Sequence, residues 1–265
     1  EHGEAPGNVI SNNKMNGIHI RYYSNSFVHI ENMFTILGNM IGLDKDGNRA
    51  GNTMSGIDID AIRNVRIGIP SPGTDNLHYG NLIAGNEMHG IYVLGRSRSR
   101  NIEIISNWIG TTPDKADGLG NLNNGIHMTG VLSATIGHPQ GGNVIGGNGS
   151  PTTSAHGIYS WNSIVTVISN HIGCKRFSDS AIPNTGNGIH LEQCSGSVIG
   201  GSGENEGNVI AGNAGWGIRQ GNSLSTNTGI YGNTIGLNSG GSAMPNGEGG
   251  ILMTDGIANG RIGKN

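Results

Sequence analysis

The chain repeats itself, and the period of the repeat constrains its fold more than any other feature. A Gly-Ile pair or its equivalent opens a short run of alternating apolar residues at Gly17, Gly56, Gly90, Gly125, Gly157, Gly188, Gly217 and Gly250, spaced 29 to 39 residues apart. A second signal, Asn-x-Ile-Gly, comes at every other interval: NMIG at 39–42, NWIG at 107–110, NHIG at 170–173 and NTIG at 233–236. A third, x-Ile-Gly, recurs at Ile67, Ile136, Ile199 and Ile262, and a fourth, Gly-Asn-x-Ile, begins at Gly7, Gly80, Gly142 and Gly207. The second and third series step by 63 to 69 residues, so the unit is a pair of unlike coils, present four times.

Within each coil, Ile or Val sits two residues from its like, as in Ile18/Ile20, Ile57/Ile59 and Ile189/Leu191. Period two with one apolar face marks a half-buried strand. Each equivalent strand returns in the same direction after a full circuit, so successive strands stack in parallel, ~4.8 Å apart, with Ile above Ile. The crossover rule makes the winding right-handed. The repeat thus predicts an all-β chain: one right-handed parallel β-helix (a β-solenoid) over residues 1–265, about eight coils in four two-coil repeats, roughly 38 Å long at that spacing. One Asn per coil follows an I-x-x-N strand: Asn13, Asn39, Asn86, Asn107, Asn148, Asn170, Asn213 and Asn233. Asn tolerates the left-handed turn conformation and can bond the Asn above it, which predicts a single internal ladder of these eight.

Composition agrees. With 49 Gly and only 12% charged residues, the chain lacks the Ala, Leu, Glu and Lys runs of a helical protein. The regular recurrence of β-branched residues argues against disorder. A net charge of −3 offers no basic face to nucleic acid or an anionic membrane. No apolar run approaches the ~20 residues of a membrane span. Cys174 and Cys194 make no disulfide framework and no metal pattern, and leave a single bond between them open. The chain lacks an initiator Met and enters the repeat almost at once, with GNVISNN at 7–13, so it is read as a fragment of a longer protein.

The combined pattern GNxIxGNxxxGIxI…NxIGxDxxGxxxxGNxxxGIxI…xIGG runs over the whole chain. It resembles the right-handed parallel β-helix repeat of large bacterial secreted and surface proteins. It is also similar in fold to the pectate-lyase-like carbohydrate enzymes. The resemblance implies a secreted or cell-surface location and a sheet face that serves as the floor of a groove for polysaccharide.

On that face the outward positions of the Gly-Ile-x-Ile strands form eight rows: His19/Arg21, Asp58/Asp60, Tyr92/Leu94, His127/Thr129, Tyr159/Trp161, His190/Glu192, Arg219/Gly221 and Leu252/Thr254. Rings suit sugar faces, and imidazoles and carboxylates suit hydroxyls and carboxyls. Tyr159, Trp161, His190 and Glu192 are therefore the candidate ligand-binding residues. A catalytic group, if the chain has one, would be Arg21, Asp58, Asp60, Tyr92 and His127, on four successive rungs. The polygalacturonase-like pattern would place an Asp, as in NTDG, immediately before a strand. Here NTMSG at 52–56 carries Met54 and Ser55, and the eight pre-strand positions are Asn16, Ser55, His89, Asn124, His156, Asn187, Trp216 and Gly249, none of them a carboxylate. Glycoside hydrolysis normally needs two positioned carboxyl groups. MHGIYV and AHGIYS echo the family's GHG, but His89 and His156 stand two coils apart.

The loop DKDGN offers Asp44, Asp46 and Asn48 around a turn glycine, as calcium loops do, yet lacks the bidentate Glu that completes them. Asp-Gly and Asn-Gly are also ordinary turn formers. No cofactor is expected beyond calcium at that loop. Two functions follow. The first is an extracellular structural or adhesive rod that contacts carbohydrate or another surface polymer and can associate end to end through its open strand edges. The alternative is a polysaccharide lyase or glycoside hydrolase acting on uronate-containing glycans.

Overall fold

The computed structural model describes residues 7–22, 33–70, 80–114, 119–176, 180–221, 225–254 and 258–264. They form three parallel sheets of eight strands each, and the chain visits the sheets in strict rotation. Eight strands per sheet make a β-solenoid of about seven turns, with no helix among the described residues. The second sheet comprises Ile18–Arg21, Ile57–Asp60, Ile91–Leu94, Ile126–Thr129, Ile158–Trp161, Ile189–Glu192, Trp216–Gly221 and Gly249–Met253.

The four sequence signals sort onto these sheets by physical role. The Gly-Ile pairs open the strands of the second sheet, and x-Ile-Gly closes strands of the third. Asn-x-Ile-Gly and Gly-Asn-x-Ile, unlike as they look, build alternate strands of the same first sheet: Val9 pairs with Met40, Met40 with Leu82 and Leu82 with Trp108. The inward position of that sheet is Ile in all eight strands, from Ile10 and Ile41 to Ile210 and Ile235. The first inward position of the second sheet is likewise Ile throughout, Ile18 stacking on Ile57 and Ile218 on Ile251. Every Ile of these two columns from the second coil to the seventh is fully buried, the dry core expected of stacked β-branched side chains.

Two glycines show why the motifs need that residue. Gly42, ending NMIG, has φ of +86°, where a side chain would be strained. Gly56 has ordinary φ, but a Cβ there would lie 2.8 Å from the Gly90 carbonyl and 2.8 Å from Ile83 Cγ2. In the second, fourth, sixth and eighth coils the chain leaves the rod after the first-sheet strand. The returning loops cover that sheet's outer face, burying Leu43 and Leu119, Ile182 against Trp108, and Met244 against Cys174. Parts of these loops, and most of IPSPGTDNLHYG, lie outside the described residues.

The expected single asparagine column is corrected to two. Asn39, Asn107, Asn170 and Asn233 belong to a ladder before the first-sheet strand, interleaved with Asn8, Asn81, Asn143 and Asn208; side-chain amides donate rung to rung at 2.8 to 3.1 Å. Asn13, Asn86, Asn148 and Asn213 belong to a second ladder after that strand, interleaved with Asn52, Asn121, Asn184 and Asn246 at 2.8 to 3.0 Å. An I-x-x-N spacing finds one Asn per coil, and alternates between the ladders because the other Asn of each coil is reached differently. Cys174 and Cys194 are both free and buried in separate places, Cys174 under a loop and Cys194 in the core, so the bond left open does not form. Among the described residues no helix is long and apolar enough to cross a membrane.

Candidate functional site

Among the described residues, the outward face of the second sheet carries chemistry-bearing side chains on seven successive strands, from His19 to Arg219. Its register matches the expected rows: His19 opposes Asp58, Asp58 opposes Tyr92, Tyr92 opposes His127, His127 opposes Tyr159, Tyr159 opposes His190, and His190 opposes Arg219. The face divides into two parts.

The first part is an ion cluster. Asp60, 10% exposed in its side chain, lies between two arginines, with Arg21 Nε at 3.1 Å from one oxygen and Arg96 Nε at 2.6 Å from the other. Asp58 accepts a hydrogen bond from Asn16 Nδ2 at 2.9 Å and lies 4.0 Å from His19. Burial raises the Asp58 pKa, and the neighbouring Asp60 raises it further, against the opposing pull of His19, Asn16 and Arg21. Asp58, Asp60 and Arg21 are thus brought together as expected, with Arg96 as a member that sequence spacing did not reveal.

The second part is a column of rings. Tyr92 meets His127 edge-on at 5.2 Å, His127 meets Tyr159 at 4.8 Å, and Tyr159 meets His190 at 5.4 Å between centroids. Two further histidines enter from the position before the strand. His89 stands beside Tyr92 at 5.5 Å and His127 at 4.4 Å; His156 stands beside Tyr159 at 5.8 Å and His190 at 4.7 Å. The two echoes of GHG are two coils apart, as counted, but His127 and Tyr159 fill the gap with rings. Such contacts favour offset and edge-to-face geometry, and each adds about 0.5–1.5 kcal/mol beyond area burial.

Hydrogen bonds fix the orientation of most of these rings. Asn124 Oδ1 accepts the His156 backbone N–H at 2.7 Å, which turns the Asn124 amide nitrogen toward His127 Nδ1 at 3.3 Å. His127 therefore carries its proton on Nε2, 3.2 Å from Thr129 Oγ1. Asn187 plays the same backbone role one pair of coils later, accepting the Trp216 N–H at 2.8 Å and donating its own N–H to His156 Nδ1 at 2.9 Å. His156 then donates from Nε2 to His190 Nδ1 at 3.1 Å. His190 Nε2 faces Glu192 Oε1 at 3.3 Å, off hydrogen-bond alignment, while Glu192 Oε2 accepts the Tyr159 hydroxyl at 2.9 Å.

Burial sets the protonation of the column. It lowers His89 and His156 to about 3, and His127 and His190 to about 4. Burial also raises the Tyr159 phenol, helped by its bond to Glu192. At neutral pH the column is uncharged, with every imidazole and phenol in its neutral form. Three of the four expected ligand-binding residues, Tyr159, His190 and Glu192, touch one another. Trp161 shares the row of Tyr159, two residues further along the strand, 38% exposed and in register with Thr129 and Glu192.

The DKDGN loop is a turn held by its own side chain. Asp44 Oδ1 accepts the backbone N–H of Asp46 at 2.9 Å and of Asn48 at 2.8 Å, and Asp46 pairs with Lys45 at 2.8 Å. In the fourth repeat Asn238 makes the same turn, accepting from Gly240 at 3.0 Å and Ser242 at 2.8 Å without any carboxylate.

No family model matches the chain, and no curated protein matches it in sequence. Among solved structures it is similar to a double mutant of the periplasmic alginate epimerase AlgG, at 16% identity over 88% of this chain with a TM-score of 0.50. The chain covers 45% of that protein, less than half its length. At this identity the likeness is one of fold, and it supports the pectate-lyase-like parallel β-helix read from the repeats.

Proposed function

We propose that the chain is a polysaccharide-binding rod, whose second-sheet face holds an extended glycan along the helix axis over Tyr92, His127, Tyr159 and His190. The observation that carries this reading is the unbroken, pre-oriented and uncharged column of six rings over four rungs. The half-buried rings of Tyr92, His127, His156 and Tyr159, oriented by the more deeply buried His89 and His190, provide apolar area for sugar C–H faces together with fixed polar atoms for hydroxyls, with little ordering cost on binding. Rungs ~4.8 Å apart are close to the length of one sugar in an extended chain. The fold likeness to an alginate epimerase agrees with carbohydrate as the partner class, and that protein's periplasmic location agrees, coarsely, with a rod that works outside the cytoplasm.

The enzymatic alternative asks for a base and an acid poised near the working pH. Burial moves the imidazoles down and the phenol up, away from that range on both sides, and Asp60 is held between two arginines; Asp58, which burial raises, is the exception. Binding without cleavage is the expected outcome. A panel of neutral and uronate-containing polysaccharides, titrated with the protein and monitored for unsaturated products in the ultraviolet, tests it. Retention of at least one glycan, weakened about tenfold by Tyr159→Phe or His127→Ala, with no product, supports the rod. Product formation abolished by the same substitutions would establish the enzyme instead.

A further inference from the structure

A second feature lies at the corner where the chain turns from the first sheet into the second. Met15, Met54 and Met88 each stand three residues before Ile18, Ile57 and Ile91, and those isoleucines pair in sequence, Ile18 with Ile57 and Ile57 with Ile91. Backbone bonds tie the corner rung to rung: the Met54 N–H donates to the Met15 carbonyl and the Met88 N–H to the Met54 carbonyl, both at 3.2 Å. The three methionine backbones therefore stack on consecutive coils, so three thioether side chains start from one corner of the rod.

Packing does not explain them. Met128 and Met244 are buried in the rod or under its loops, and Met40 packs against Leu43. Met15 and Met88 are 62% and 40% exposed, and none of the three belongs to a core cluster. The next rung of the same corner is Asn123, bonded to the Met88 carbonyl at 3.0 Å, and later coils place Ala155, Gly186, Gly215 and Glu248 there. Small or polar residues satisfy the corner elsewhere, so three methionines in a row are a departure from what the fold needs.

We propose that Met15, Met54 and Met88 form a thioether site for a soft monovalent cation, copper(I), with silver(I) as its redox-inert stand-in. Soft sulfur ligands select such ions over the hard divalent cations. The outer two backbones are ~10 Å apart at the strand spacing. Each unbranched side chain has three rotatable bonds with which to converge on the middle one. The site borders the glycan face, since Met88 precedes His89 of the ring column, but the three proposed ligands are not among the residues of that column.

The test is a silver(I) titration of the whole chain with 13C-methyl-labelled methionine, followed by NMR, and an anaerobic copper(I) competition against a colorimetric chelator. One ion per chain is expected, shifting the methyl signals of Met15, Met54 and Met88 and leaving the buried Met128 unmoved. The triple Met→Leu variant, checked for unchanged melting, is expected to lose binding at least tenfold. The proposal fails if those three methyls do not move, if the triple variant binds as before, or if Cys174→Ser or Cys194→Ser abolishes binding. Should the triple variant misfold, the methyl shifts of the unmodified chain decide alone.

Discussion

The Nε2 of His156 lies 3.1 Å from the Nδ1 of His190, two imidazoles on adjacent rungs joined by one proton. Because the Asn187 backbone N–H already occupies His156 Nδ1, that proton belongs to His156. The pair is thereby assigned: both rings are neutral, both protonated on Nε2. Imidazole 15N spectra at pH 7 are expected to show this tautomer for His156, His190 and His127, with no titration down to about pH 5. An Nδ1-protonated His156, or a midpoint near 6.5, would contradict the network.

Acid should destabilise the rod through the same groups. His89 and His190, each less than a tenth exposed, have folded pKa values of about 3 and about 4 against an unfolded 6.5. Depressed histidine values mean that the unfolded chain binds the protons first. Stability is therefore fully present above pH 6.5 and is lost as pH falls toward 4 and 3, by up to about 1.4 kcal/mol per pH unit for each of the two. Denaturant melts at pH 7, 6, 5 and 4 check the sign; a flat profile over this range would contradict the burial of the column.

The asparagine ladders should be the costliest polar groups to remove. Asn107 Oδ1 accepts from the backbone and side chain of Asn81, and its Nδ2 donates to Ile67, Ile105 and Asn143. Asn107→Ala strands several buried donors and acceptors and should destabilise by roughly 3–5 kcal/mol, each orphan costing about 1–3. Asn107→Asp, which keeps the shape but loses the donors, should be nearly as damaging.

Asp44 should behave as a turn residue. Asp44→Asn leaves the Asn238-type geometry intact and should change the melting temperature little, whereas Asp44→Ala removes two backbone-accepting bonds and should cost about 1 kcal/mol. A large calcium-dependent rise in melting temperature that Asp44→Asn abolishes would instead assign the carboxylate a cation.

In the core, Ile126→Ala should cost about 2–5 kcal/mol and Ile126→Val about 0.5–1.5, since Ile126 is fully buried between Ile91 and Ile158. Thermal or denaturant unfolding of the two variants checks the ordering.

The coil count, the direction of the strands, the inward isoleucines and the outward rows of the second sheet were all legible in the chain. Each follows from a period: two along a strand, and one circuit between strands. His127, Tyr159, His190 and Glu192 could be named because their place in an alternation put them on the outer face. What only the tertiary structure decided depends on which atoms lie beside each other across coils of unequal length. His89 and His156 join the column because the corner before each strand turns them onto it. Arg96 reaches Asp60 from a loop in the next coil, and the eight similar asparagines fall into two ladders. The protonation of the face was beyond the sequence for the same reason: burial and hydrogen-bond direction set a proton's place, and neither exists until the coils are stacked.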